Sequence, residues 1–135
     1  MNFIVDSNPG RNLHYDKAKL VWNKIKEMGY IPLEIIFYHP MACYRSIKYD
    51  FIDFTTRDID VNPETTLNMI ASCEAFIGVN SGTLVAASTM YPEKCLHLNT
   101  SIPFNNYKKF NPIKEIDCHD EINLKDLELF IENIN

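Results

Sequence analysis

The chain has 135 residues, of which 46% are apolar, 12% aromatic and 23% charged, and its formal net charge is -5. That length suits one domain, residues 1–135, burying roughly two-thirds of the surface its unfolded chain exposes. The composition excludes collagen-like, low-complexity and repeat architectures.

The 13 Lys and Arg residues are spread along the chain without a basic stripe, so a nucleic-acid-binding surface is not expected. The apolar runs fall far short of the roughly 20 residues a membrane helix needs. The opening "MNFIVDSNPG" lacks the basic region of a signal peptide, so the expectation is a cytoplasmic protein with no membrane span. Cys43, Cys73, Cys95 and Cys118 lie 22 to 30 residues apart with no C-x-x-C pair, and His14, His39, His97 and His119 are equally scattered. Neither a disulfide framework nor a zinc site fits that spacing, and no metal or cofactor is expected.

In chain order, "NFIVDS" (residues 2–7) reads as a first strand, ended by the turn residues Asn8, Pro9 and Gly10. A helix then runs from a cap at Asp16 to Met28, with Leu20, Val21, Ile25 and Met28 inward, Trp22 at the edge of that face and Gly29 as the stop. Residues 30–38 read as a second strand, with Pro32 tolerable near its start, and residues 48–55 as a third extended piece. Asn62 caps a helix that opens on Pro63, with Leu67, Ile70 and Ala71 facing in. "AFIGV" (residues 75–79) is almost unbroken in its apolar character, as in a parallel strand covered on both faces. A helix over residues 83–90 follows, then a strand over residues 94–99. The chain closes with a helix capped by Asn123, with Leu127, Phe130, Ile131 and Ile134 inward. This alternation predicts an α/β fold, a doubly wound, three-layer Rossmann-like domain with a mostly parallel sheet of about five strands.

Ligands of such sheets bind beyond the C-terminal ends of the strands. Two loops fall there. In "GVNSGT" the strand gives way to a helix within a few residues, and unpaired N–H groups at a helix start attract anions. Ser81 and Thr83 hydroxyls would add hydrogen bonds, and Gly82 would let a phosphate come close to the backbone. The same residues also fit a plain helix cap with an unusual glycine φ. In "DSNPGRN", Ser7 and Arg11 would stand on the same rim, Arg11 offering a guanidinium that can grip two phosphate oxygens. The P-loop, dinucleotide and nucleophile-elbow patterns are all absent.

Taken together, "VDSNPGRNLHYDKAKLVWNKIKEMGYIPLEI", "TTLNMIASCEAFIGVNSGTLVAAS", "PEKCLHLN" and the later "FNP" resemble the C-terminal, donor-binding half of heptosyltransferase-like glycosyltransferases of the GT-B fold. The resemblance implies that Asn80, Ser81, Gly82 and Thr83 hold the diphosphate of a nucleotide sugar, with Ser7 and Arg11 across the cleft. That family commonly has a His three residues after the Gly, where this chain has Val85. It also places its acceptor site and general base in an N-terminal domain, so transfer is expected to need a partner subunit, a homodimer or a longer parent chain. The catalytic residues are therefore not identified from the sequence. Two other readings compete. One is a small enzyme acting on nucleosides or nicotinamide nucleotides, with Glu74, Asp6 or Asp53 as its acid. The other is a non-catalytic nucleotide-binding or assembly module using an aromatic patch over residues 37–54.

Overall fold

The computed structural model describes residues 1–3, 9–36, 48–57, 59, 62–100 and 113–134. Among them the protein is a mixed α/β fold with four α-helices and a three-stranded parallel sheet. The helices are α1 (Tyr15–Glu27), α2 (Pro63–Ser72), α3 (Gly82–Met90) and α4 (Leu124–Glu132), and the strands are β1 (Phe76–Gly78), β2 (Cys95–Asn99) and β3 (Lys114–Asp117). None of these helices is long and apolar enough to cross a membrane.

Helix ends follow local chemistry. Asn62 Oδ1 accepts from Thr65 N at 2.8 Å, and Pro63 takes the first position of α2. Asn123 Oδ1 accepts from Lys125 N at 3.0 Å at the start of α4. Helix α1 begins earlier than an Asp16 cap implies: its N-cap is His14, without a side-chain hydrogen bond, and Asp16 sits in the first turn, where a negative charge favours the helix dipole. The chain leaves α1 through Gly29, whose φ of 89° suits a residue without Cβ. Within α1, Trp22 is fully buried rather than at the edge, and Leu20 is 50% exposed. On α2 the inward stripe is Thr66, Met69 and Ile70, so Ala71, about 100° further round the helix from Ile70, is exposed.

Among the described residues the sheet is shorter than expected. Its order is β1-β2-β3, with Gly78 opposite His97 and Leu98 opposite Ile116. Beyond β1, among the described residues, it continues only as isolated parallel bridges, Asn2 to Gly78 and Glu34 to Thr55, joined by Ile35 N donating to Met1 O at 2.9 Å. Residues 4–7 and 37–38 of the expected first and second strands lie outside the described residues. The stretch 48–55 is not a strand. It turns at Asp50 and Phe51, and Ile52 N bonds back to Tyr49 O, because Tyr49 and Phe51 pack on Tyr15 and Trp22 instead of alternating across a sheet. Strand β3, by contrast, was not expected from the sequence.

Alternate residues of the strands feed two separate cores, as strand geometry requires. Ile77, Leu96, Leu98 and Ile116 join Val21, Trp22 and Ile25 of α1 and Leu127, Phe130 and Ile131 of α4. Phe76 and Cys95 join Ile70 of α2 and Leu84 and Ala87 of α3.

Candidate functional site

Strand β1 is buried from Phe76 to Gly78, and burial continues through Val79, Asn80 and Ser81 before α3 begins at Gly82. Ser81 is the N-cap. Its Oγ accepts from Leu84 N at 3.2 Å, and its carbonyl accepts from Val85 N at 3.0 Å. The N–H groups of Gly82 and Thr83 have no partner among the described residues. They therefore carry the positive end of the α3 dipole outward.

Gly82 does not have the unusual φ that a purely conformational role would need. A Cβ built on it would meet nothing within 4 Å, so the approach to this backbone is open. Alongside runs a groove of about 420 Å³ between α2 and α3, lined by Pro63, Thr66, Leu67, Ile70, Gly82, Thr83 and Ala86. Thr66 is 3% exposed, and its Oγ1 is buried without a hydrogen-bond partner among the described residues.

Arg11 ends a single turn of 3-10 helix, Pro9–Arg11, and its carbonyl accepts from Thr100 Oγ1 at 2.6 Å. Thr100 directly follows β2, so this bond fixes the first loop at the same sheet edge as Asn80 to Thr83. Of the six residues expected to hold a ligand, five are thus described at one edge. Ser7 lies outside the described residues.

Asn99 and Glu115 were not singled out by the sequence. Asn99 Nδ2 donates to Glu115 Oε1 at 2.6 Å, and Glu115 Oε2 lies 3.7 Å from Nδ1 of His97, which is 2% exposed. The register places Gly78, His97 and Glu115 in one row across the sheet. A signal was present in "CLHLN", where polar His97 and Asn99 alternate with Leu96 and Leu98. Glu115 had none, because its strand was not recognised.

The candidate acids of the nucleoside-enzyme reading stand elsewhere. Glu74 is exposed and precedes β1, at the opposite end of that strand from Asn80. Asp53 accepts from Lys26 Nζ at 2.9 Å and Trp22 Nε1 at 3.2 Å, and the Lys26 hydrogen bond holds its carboxyl below the usual range. Asp6 lies outside the described residues, as do residues 37–47 of the aromatic segment. Burial pushes the Cys95 and Cys118 thiols up to about 12, which marks them as inert core groups. Cys73 is half-buried, and Cys43 lies outside the described residues.

No family model, curated protein or solved structure matches the chain.

Proposed function

We propose that the chain is a glycosyltransferase-like donor-binding domain of GT-B type, holding the diphosphate of a nucleotide sugar at the start of α3. One observation carries the reading. The N–H groups of Gly82 and Thr83 are unpaired among the described residues at the C-terminal edge of a parallel sheet, and a Cβ on Gly82 would meet nothing within 4 Å outside its own helix turn.

The lateral order of the chain supports the finer, doubly wound arrangement. Bridges and hydrogen bonds run from Thr55 to Glu34, from Ile35 to Met1, from Asn2 to Gly78, and on through β2 to β3. The chain thus builds outward on one side of residues 1–3 and then returns to build on the other. The switch point of such an order lies between residues 1–3 and β1, the place where a doubly wound sheet opens a crevice for its ligand. The turn Asn80 to Thr83 follows β1 there, and Ser7 comes shortly after residues 1–3 in the sequence.

In the reaction, an acceptor hydroxyl attacks the anomeric carbon as the bond from that carbon to the diphosphate oxygen breaks, and the diphosphate leaves with the electron pair. The Gly82 and Thr83 N–H groups and the Arg11 guanidinium stabilise the charge that accumulates on the leaving oxygens. The acceptor and its general base come from a second domain or subunit.

The test is thermal denaturation with nucleoside diphosphates at millimolar concentration. Saturation at about 100 times Kd adds about 2.7 kcal/mol of stability and raises Tm by several degrees. Gly82→Asp is the informative variant. A carboxylate in the first turn of α3, which has no acidic residue now, stabilises the free protein by about 0.3–1 kcal/mol while repelling the diphosphate. The expected result is a higher Tm without ligand and no ligand-induced shift. A wild-type protein that no nucleoside diphosphate stabilises would overturn the reading.

A further inference from the structure

Two carboxamides at the C-terminal edge of the sheet keep one polar atom each buried and without a hydrogen-bond partner among the described residues: Nδ2 of Asn80 and Oδ1 of Asn99. Asn80 is 4% exposed and directly precedes the Ser81 cap of α3. Asn99 stands on the same face of β2 as Cys95, which packs among Leu84 and Ala87 of α3. Each asparagine lies two residues beyond the paired Gly78 and His97. Neighbouring strands thus bring both to the foot of α3, below the open N–H groups of Gly82 and Thr83.

The orientation of Asn99 is fixed by its partner. Its amide donates to Glu115 Oε1, and a carboxylate oxygen accepts, so Nδ2 must face Glu115 and Oδ1 is left over as an acceptor. Buried polar atoms left unpaired cost free energy, and here one is a donor and the other, on the neighbouring strand, an acceptor. A phosphate oxygen would satisfy Asn80 Nδ2 but meet Asn99 Oδ1 lone pair to lone pair. A hydroxyl accepts from one and donates to the other.

We infer that Asn80 and Asn99 bind a hydroxyl of the sugar or ribose part of the ligand whose diphosphate occupies the first turn of α3. This rests on the phosphate reading above and adds the group that distinguishes a nucleotide sugar from a bare diphosphate. Glu115 is a positioning residue: it holds the Asn99 amide in the orientation that leaves Oδ1 unpaired.

The experiment is isothermal titration of the full chain with pyrophosphate, UDP-glucose, ADP-glucose and the monodeoxy analogues of the two nucleotide sugars, on wild type and on Asn99→Leu. A parent nucleotide sugar is expected to bind wild type about tenfold or more tightly than one of its deoxy analogues, because a site built to bond a hydroxyl rejects the ligand without it. Asn99→Leu should erase that discrimination while changing pyrophosphate affinity by less than about twofold, since the phosphate contacts lie elsewhere. Equal weakening of pyrophosphate and nucleotide sugar by Asn99→Leu, or deoxy analogues that all bind wild type as tightly as the parents, overturns the inference and leaves the phosphate reading standing. The deoxy series on wild type separates these outcomes even where Asn99→Leu does not fold. If wild type binds none of these ligands, the phosphate reading fails, and the hydroxyl site fails with it.

Discussion

Glu34 is 0% exposed, yet its carboxylate is fully engaged: Arg57 Nε donates to Oε1 at 2.7 Å, Arg57 Nη2 to Oε2 at 3.2 Å, and Thr55 Oγ1 to Oε1 at 2.7 Å. A buried charge survives on such pairing, and removing one partner strands the other. Glu34→Gln is expected to cost about 3 kcal/mol in urea denaturation, because the neutral amide no longer balances the guanidinium. A loss below about 1 kcal/mol would place this pair with exposed ion pairs instead. Ser81 illustrates how far one residue is legible in the sequence. Both cap and ligand contact were open, and the two are compatible: Oγ accepts from Leu84 N, while the hydroxyl proton stays available to a phosphate oxygen. Asn99 is less legible, since its role depends on Glu115, 16 residues away.

At the scale of elements, helices were read better than strands. Caps and stops act within one turn, so Asn62, Asn123 and Gly29 announce themselves locally. Gly29 closes α1 with three backbone bonds: Met28 N to Lys24 O, Gly29 N to Lys26 O, and Tyr30 N to Ile25 O. Gly29→Ala keeps those bonds only by holding a Cβ at φ 89°, and a loss of about 1 kcal/mol is expected, measured as a lower urea midpoint. An unchanged midpoint would show that this turn relaxes to another conformation. Strand β3 escaped because Ile116 is its one buried residue, which leaves no period-2 pattern to detect. Residues 48–55 misled for the opposite reason. Their aromatic content fits a strand, but tertiary packing on Tyr15 and Trp22 bends them into a turn.

At the scale of the whole molecule, residues 1–3 are tied into the sheet on both sides: Ile35 N donates to Met1 O at 2.9 Å, Asn2 N to Ile77 O at 3.0 Å and Val79 N to Asn2 O at 2.9 Å.

The sequence by itself determined the α/β class, the start of α2, the stop of α1, the residues that α4 turns inward, and the turn Asn80 to Thr83. Each follows from interactions between residues a few positions apart. Only the tertiary structure decided that the parallel ladder among the described residues is three strands long, that Thr100 holds Arg11 across 89 residues, and that Asn99 meets Glu115. Those pairings join backbone and polar groups remote in the chain. Their partners are selected by burial and register once the sheet forms, and neither leaves a mark on the local sequence.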